Sequence, residues 1–415
     1  MPALTGRIST PTTTYAAVLR TPGAWKFYLA AAPARIGIAM TGLGIVWLVH
    51  GSTGSYAAAG SVTGGFAVAE ALAGPQVARL IDRFGQTRML PITLLVHAAA
   101  VALLISLTVS DAPLWSLILA GVVAGGSLPQ LGAQTAARWS HALRGTPLLS
   151  SAFALESLSV GVAFMVGPGL VGTVSAFVSP VAGSVLATSL LLTGGLLLAV
   201  QRRTAPPAGP RGQHERSNRL LHKRFAGLVG TNIGIGLFFG SMQVSVTAFA
   251  VARGTPGLAG PLYSITSLVS LFAGLAYGAR RWRTAPQTQL VIVLVGLTVA
   301  CVPLIAVQSP LAAAFALALP GLAIAPFQTL SAVLAESSVE PAVLTQAFTW
   351  LNSGSAAGIA LGAAFAGRIV DTHEPHYGFL VALLSALSAA AMAGVVCRVR
   401  AGNDSTGSAG SGRSC

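Results

Sequence analysis

Long apolar stretches, separated by a few polar or turn-forming residues, follow one another from residue 25 to residue 397. A helix needs about 20 apolar residues to cross the hydrocarbon layer of a membrane. Twelve stretches meet that length, namely residues 25–49, 56–80, 89–109, 113–137, 147–176, 180–200, 225–251, 259–279, 287–307, 310–334, 342–369 and 377–397. They are too long and too uniformly apolar for barrel strands, so the pattern predicts an all-α membrane protein with twelve transmembrane helices.

The composition agrees with this prediction and excludes other classes. Only 8% of the residues are charged, against roughly 25% in soluble proteins, and the mean hydropathy is +0.74. The net charge of +14 does not indicate a nucleic-acid partner, because the basic residues are scattered between apolar stretches. The three cysteines are widely spaced and indicate neither a disulfide framework nor a metal cluster.

The basic residues indicate how the chain is oriented. If the N-terminus is cytoplasmic, 21 of the 24 Lys and Arg residues lie in cytoplasmic segments, as the positive-inside bias requires. We therefore expect both termini in the cytoplasm. The polar segment 202–224 is predicted to be a cytoplasmic linker between two six-helix bundles, residues 25–201 and 225–398. Residues 1–24 are predicted to be a cytoplasmic tail and residues 399–415 a disordered one.

The two predicted bundles are related in sequence. Residues 35–38 of the first span (Arg-Ile-Gly-Ile) match residues 232–235 of the seventh (Asn-Ile-Gly-Ile) at an offset of 197. Small-residue pairs in the second and eighth spans match at an offset of 200, and positions of the fifth and eleventh spans match at 195. Parallel repeats of six spans, with a site between them, are typical of alternating-access transporters.

The loop between the second and third spans carries a family resemblance. Residues 78–88 read Ala-Arg-Leu-Ile-Asp-Arg-Phe-Gly-Gln-Thr-Arg. This resembles the cytoplasmic signature G-x-L-x-D-R-x-G-R-R of the major facilitator superfamily, although Ala78 replaces its first glycine and Gln86 a basic residue. Together with the topology and repeats, the resemblance covers residues 25–398. It implies the major facilitator fold and a transporter, not an enzyme.

We predict that this loop closes the cytoplasmic side reversibly. Gly85 allows a tight turn, and Asp82 can accept hydrogen bonds from a helix N-terminus or an arginine across the rim. The alternative is a basic loop that only sets the topology. The candidate gate residues are Arg79, Asp82, Arg83, Gly85 and Arg88.

The fifth span contains a second, partial resemblance. Gly167-Pro168 followed by Gly172 is similar to the G-P-x-x-G-G element of the superfamily's drug:proton antiporters. Such a pair could kink the helix at a moving interface, and the alternative is a kinked helix that only packs. Glycines at four-residue spacing in the eleventh span, among them Gly358, also suit such an interface. The arginine that those antiporters carry deep in the fourth span is absent between residues 125 and 132.

Three charged residues stand out deep within predicted spans of the first bundle: Arg35, Glu70 and Glu156. Each costs at least about 2.5–3.5 kcal/mol on insertion scales, so each is a functional candidate. One arginine cannot match two acids, and an unmatched carboxylate in a low-dielectric environment takes up a proton more readily. We therefore predict binding of a coupling proton or a cationic substrate, with a static ion-pair network as the alternative. The repeat counterparts are neutral: Asn232, Ser270 and Leu351.

The second bundle offers only neutral polar and aromatic candidates for lining a cavity. These are Asn232, Gln243, Tyr263, Gln328, Trp350 and Asn352. They suit the orientation of an amphipathic organic solute. The segment 371–376 holds Asp, Glu and two His, but a solvated turn explains it better than a metal site, and we expect no metal.

These observations predict a monomeric carrier in a bacterial cytoplasmic membrane, without a cofactor and without a nucleic-acid partner. No ATP-hydrolysing motif occurs in the sequence, so the proton gradient would drive transport. We expect export of a small amphipathic compound in exchange for protons, as in drug resistance. The alternatives are a proton-coupled importer of a small metabolite and a non-transporting membrane receptor or scaffold on the same fold.

Overall fold

The computed structural model describes residues 11–208, 223–255, 258–280, 282–372 and 376–409. Within these ranges the chain forms fourteen α-helices and no strand. They are α1 (Pro11–Arg20), α2 (Ala24–Thr53), α3 (Tyr56–Phe84), α4 (Gln86–Val109), α5 (Leu114–Gly126), α6 (Leu131–Leu143), α7 (Leu149–Phe177), α8 (Pro180–Val200), α9 (Lys223–Ala252), α10 (Ala259–Ala279), α11 (Pro286–Cys301), α12 (Pro310–Ser338), α13 (Leu344–Thr372) and α14 (Tyr377–Ala409). Short 3-10 turns follow α8 and α11 and precede α13.

Local sequence explains where several helices begin and end. The hydroxyl groups of Ser55, Ser179 and Ser309 accept hydrogen bonds from backbone N–H groups in the first turns of α3, α8 and α12, as N-capping residues do. Gly54 ends α2 with φ 64°, a left-handed conformation that costs a glycine little. Polar and turn-forming residues between apolar stretches thus set the helix boundaries.

Eleven segments of the described chain are long and apolar enough to cross a membrane, with α5 and α6 counted as one segment. This confirms an all-helical polytopic protein. The helix that covers the predicted span 56–80, α3, is not among the eleven, although it has 29 residues. Its four-glycine content and the carboxylate of Glu70 lower its hydropathy, so twelve spans remain a prediction.

Helix packing repeats between the first and second parts of the chain. In the first part α2 packs against α7 and α8, α5 against α3 and α4, and α4 against α8. In the second part α9 packs against α13 and α14, α12 against α10 and α11, and α11 against α14. We call these groups, α2–α8 and α9–α14, the first and second halves. They meet along a seam where α3 and α6 contact α13, and α7 contacts α10 and α12.

The structure differs from the sequence prediction at three places. The predicted fourth span, 113–137, is broken between Gly126 and Leu131 and continues to Leu143. Part of the predicted N-terminal tail, Pro11–Arg20, is helix α1, which packs on α10, α7 and α2. Helix α14 extends to Ala409, into the segment predicted to be disordered, while residues 410–415 lie outside the described chain.

Candidate functional site

The loops richest in arginine gather at one end of the bundle, which we call the basic end. It holds the α3–α4 turn with Arg79, Arg83 and Arg88, and the turn after α6 with Arg144. The three arginines of the α3–α4 turn are exposed, and the Arg83 guanidinium lies 5.1 Å from the ring centroid of Phe84. Within the described chain no ion pair joins any of these three arginines to another residue, so their part in the gate stays a prediction.

Asp82 joins the two halves at the basic end. The backbone N–H of Gln346, in the first turn of α13, donates to Asp82 Oδ2 at 2.9 Å. Asp82 lies beyond the predicted span 56–80, and burial raises its pKa to about 7, while hydrogen bonds from the start of α13 oppose that rise. A carboxylate at a helix N-terminus is favoured by the helix dipole. Gly85 then turns the chain with φ 90°, a conformation that a side chain rarely adopts.

Further contacts join the halves at the same end. Arg144 Nε lies 2.8 Å from Glu336 Oε1, and the Ser151 hydroxyl donates to the carbonyl oxygen of Gly278 at 2.5 Å. The rings of Phe153 and Phe348 make an edge contact at 5.8 Å. Together with the Asp82 contact, they hold the two halves closed at the basic end.

Helix α1 also bridges the halves. The hydroxyl of Tyr15 donates to the carbonyl oxygens of Leu275 at 2.9 Å and Gly274 at 3.3 Å in α10. Burial raises the pKa of Tyr15 to about 12, so the hydroxyl stays a neutral donor. Val18 of α1 is fully buried. The segment predicted to be a tail therefore belongs to the closed arrangement.

Arg138 organises the first half beside the gate. It is fully buried, and its Nε donates to Gln86 Oε1 at 2.9 Å. Its Nη atoms donate to the carbonyl oxygens of Leu198 and Gln201, at 3.0 and 2.9 Å, and to the hydroxyl of Thr204 at 2.7 Å. Gln86, which departs from the basic residue of the family signature, is thus the partner of a buried arginine. The arrangement ties the α3–α4 turn to the end of α8.

Arg35 and Glu156 form a buried ion pair, with 2.5 Å between Nη2 and Oε1 and side-chain exposures of 4% and 11%. The hydroxyl of Thr135 donates to Glu156 Oε1 at 2.6 Å, and Trp139 Nε1 donates to Oε2 at 3.1 Å. The Arg35 guanidinium also lies 5.5 Å from the centroid of the Tyr28 ring. Three donors from α2 and α6 therefore engage the carboxylate of α7.

Glu70 is not part of this cluster. In the described chain, no hydrogen bond or ion pair reaches its partly buried carboxylate. It lies one helical turn before Gly74, where an added Cβ would come within 3.2 Å of Thr349 in α13 and 3.1 Å of the Gln130 side chain. Residues four apart share a helix face, so Glu70 lies on the face of α3 that meets the seam.

The second half contains a neutral counterpart of the Arg35–Glu156 cluster. Asn232, the repeat position of Arg35, donates through Nδ2 to the hydroxyl of Ser331 at 2.9 Å. Arg35 likewise donates to the hydroxyl of Thr135 at 3.1 Å, so both bonds run from the first helix of a half to its fourth span. Because the second half packs alike without charges, the fold does not require Arg35 and Glu156.

The other predicted cavity residues lie in different surroundings. Gln243 and Asn352 are exposed, and Tyr263, Gln328 and Trp350 are partly buried. Tyr263 and Trp350 pack against the apolar core. Asn232, by contrast, is buried and bonded, so it lines no open space in this arrangement. That the other five residues line one common cavity stays a prediction.

The glycines that were predicted to lie at a moving interface pack within the halves. Gly167, beside Pro168 in the uninterrupted helix α7, faces Ala39 and Ile36 of α2. Gly358 of α13 faces the backbone of α9. Both glycines therefore permit close helix packing inside one half, and neither lies at the contact between the halves.

Half of the predicted outer turn 371–376 lies outside the described chain, because residues 373–375 are not described. Among the described residues no group of three His, Cys, Asp or Glu side chains could hold a metal ion. The structure thus offers no metal-binding cluster in its described ranges.

Sequence reasoning missed three residues of the closed end: Tyr15, Glu336 and Arg138. For two of them, Tyr15 and Glu336, the sequence contains a pattern that could have indicated their role. Tyr15 shares an i, i+3, i+4 apolar pattern with Val18 and Leu19, which is typical of an amphipathic helix. Glu336 is an acidic residue on a side otherwise rich in arginine, so an ion pair was to be expected there. The full burial of Arg138 left no such signal.

Comparison with known proteins indicates the family and the fold. The sequence profile of the Major Facilitator Superfamily matches residues 27–363. A bacterial homologue of the iron transporter ferroportin, in an outward-facing state, superposes with a TM-score of 0.75 at 14% identity over 90% of this chain and 99% of its own. The human organic anion transporter MFSD10 (TETRAN) gives 0.65 at 16%, covering 92% and 98%. The proton:xylose symporter XylE gives 0.62 at 12%, covering 88% and 94%. A search of curated protein sequences returned no match.

Proposed function

Because this chain belongs to the Major Facilitator Superfamily, we propose that it is a secondary active transporter that exports a small amphipathic organic compound in exchange for protons. The observation that carries the proton coupling is Glu70. It is an acid inside a helical bundle, beside the seam and without a partner in the described chain. Such a carboxylate can take up and release a proton as its surroundings change between two arrangements.

Glu156 is a weaker candidate for the coupling proton. Its carboxylate receives three donors, one of them the Arg35 guanidinium. Protonation of Glu156 would leave Arg35 buried without a counter-ion, which is costly. We therefore assign proton exchange to Glu70, and to the Arg35–Glu156 pair a role in holding α2, α6 and α7 together.

The contacts at the basic end form the proposed gate. We propose that this end faces the cytoplasm of a bacterial cell, with both termini there, and that the chain works as a monomer without a cofactor. The Asp82–Gln346 bond and the Arg144–Glu336 pair would break when the halves part. Each is a contact between residues far apart in sequence, so each can be lost without unfolding a helix.

Proteoliposomes with a trapped pH dye test the proposal. A panel of amphipathic compounds is added under an imposed pH gradient, and proton movement is recorded. We expect a compound that moves protons in the opposite direction to its own, and Glu70→Gln should abolish gradient-driven transport while leaving exchange between two substrate pools. Glu340→Gln, which removes an exposed acid of the α12–α13 turn, is the matched control. Equal gradient-driven rates in both variants would remove Glu70 from the mechanism.

Two alternatives remain as outcomes of the same assay. Movement of protons and compound in the same direction would indicate an importer, and the similarity to a proton:xylose symporter keeps this open. Absence of movement for every compound, in a correctly folded protein, would favour a receptor or scaffold. Accessibility of single cysteines placed at the basic end, in intact cells, tests the orientation.

A further inference from the structure

The fourth span of the first half is interrupted halfway along its length. Helix α5 ends at Gly126 and α6 begins at Leu131. Pro129 has no N–H group, and the Leu131 N–H bonds to the Pro129 carbonyl oxygen at 2.8 Å instead of reaching back to residue 127. Nothing in the described chain donates to the carbonyl oxygens of Gly126 and Ser127. The break therefore presents two free acceptor groups, on the partly buried residues Gly126 and Ser127, within the predicted span 113–137, where unpaired acceptors are costly.

Glu70 lies at the level of this break. An added Cβ on Gly126 would come within 3.5 Å of Ala73 and 3.9 Å of Ala69, and one on Gly74 within 3.1 Å of the Gln130 side chain. These residues of α3 surround position 70. Long side chains on a helix lean toward its N-terminus, so we expect the carboxylate of Glu70 to lie toward the last turn of α5.

The second half has neither the break nor the acid. Gly125 packs on the backbone of Phe66, and Gly321 packs in the same way on the backbone of Thr266. Pro129 lies four residues after Gly125, and Pro326 lies five residues after Gly321. Helix α12 is nevertheless continuous through Pro326. The position equivalent to Glu70 is Ser270. Proline alone therefore does not force the break, and break and carboxylate occur together in one half.

We propose that Glu70 and the carbonyl oxygens of Gly126 and Ser127 form a binding site for a monovalent cation at the seam. The negative end of the α5 dipole adds to the attraction. Discontinuous membrane helices commonly hold ions through freed carbonyl groups. The chemistry fits either a metal ion such as sodium or the ammonium group of a transported compound, because both need several oxygen acceptors. This deepens the proposed function, on which it rests for the direction of exchange.

Proton and cation would compete at this site. The ionised carboxylate binds the cation, and the protonated one does not, so binding weakens as the pH falls. Two ionisable groups within the spans of the neighbouring helices α2 and α4 are already engaged. Arg35 of α2 pairs with Glu156, and His97 of α4 makes a 2.9 Å hydrogen bond from Nδ1 to the Ala124 carbonyl oxygen. Exchange of one cation for one proton at Glu70 would by itself couple the two fluxes.

Thermal unfolding of the full chain in detergent tests the site. Sodium chloride and phenethylamine hydrochloride are titrated separately, with choline chloride at equal concentration as the control. A ligand that binds the folded state raises the unfolding midpoint in a saturable way. We expect such a rise for one of the two ligands in the wild type and in Glu340→Gln. Glu70→Gln should weaken the apparent affinity by at least about tenfold, because the ligand set loses its full charge.

The responding ligand identifies the source: sodium alone indicates a metal ion, and the amine alone indicates the transported compound. No saturable rise with either, or an equal rise in Glu70→Gln, overturns the site. If Glu70→Gln fails to fold, proton release from the wild type on adding the responding ligand decides, and no release overturns the site. If the protein transports a compound but shows no such binding, the proposed function stands and the cation site is refuted. If it binds the cation but transports nothing, the cation site stands and the proposed function is contradicted.

Discussion

The buried Arg35–Glu156 pair can be replaced by the neutral residues that the second half uses in its place. The variant Arg35→Asn takes the residue of position 232, and Glu156→Leu takes the residue of position 351. The two single variants and the double variant form a thermodynamic cycle. The cycle separates the cost of a stranded charge from the value of the pair itself.

The structure supplies the expected magnitudes. Glu156→Leu leaves the guanidinium of Arg35, 4% exposed, without a counter-ion, which costs about 3–5 kcal/mol of folding free energy. Arg35→Asn removes the guanidinium, but the carboxylate keeps its bonds from Thr135 and Trp139, so a loss of about 2–3 kcal/mol is expected. The double variant strands no charge. Its loss should fall short of the sum of the single losses by at least about 2 kcal/mol.

Reversible unfolding in mixed micelles measures these free energies, and transport by the double variant is measured beside them. Additive losses would refute the coupling between the two side chains. If the pair only holds the helices together, the double variant transports at close to the wild-type rate. A folded double variant without transport would instead show that the charges act in transport itself.

Three further changes test the gate and the packing. Burial raises the pKa of Asp82 to about 7 from the ordinary 3.8, so protonation favours closure and closure weakens as the pH rises between these values. Spin-label distances across the basic end should show this dependence in the wild type and not in Asp82→Asn. Tyr15→Phe removes a hydrogen bond worth about 1 kcal/mol and should raise the ratio of open to closed molecules, read from the same distances, roughly fivefold. An unchanged distance distribution would show that α1 does not hold the gate. Gly358→Val places a side chain against the backbone of α9 and should lower stability by at least about 2 kcal/mol, while Gly367→Ala, with nothing within 4 Å, should have little effect. Equal losses in the two glycine variants would contradict the packing argument.

Local features of the sequence predicted much of the fold. Apolar stretches predicted most helices within a few residues, the fourth and twelfth spans excepted, because hydropathy and turn residues act over a single span. The α3–α4 turn was found for the same reason, since Gly85 and Asp82 stand in a short signature. Helix α1 was missed because its apolar residues are few and its partners lie on α10, far along the chain.

Pairing between charges was beyond the sequence. Arg35 stood at a similar predicted depth to both Glu70 and Glu156, and only the packing of α2, α6 and α7 selects Glu156. The same holds for Gly358, whose spacing predicted close packing but not that its partner would be α9 of the same half. Spacing along a helix defines a face, whereas the neighbour of that face depends on the rest of the chain.

By itself the sequence determined that this is a helical membrane protein, the approximate position of most of its helices and the family it belongs to, because these follow from local hydropathy and short motifs. The tertiary structure decided which acid is neutralised, which acid has no partner among the described residues, and that the fourth span breaks beside the second. These are properties of contacts between residues up to 121 positions apart. A charge or a freed carbonyl group acquires its role only from the groups that surround it.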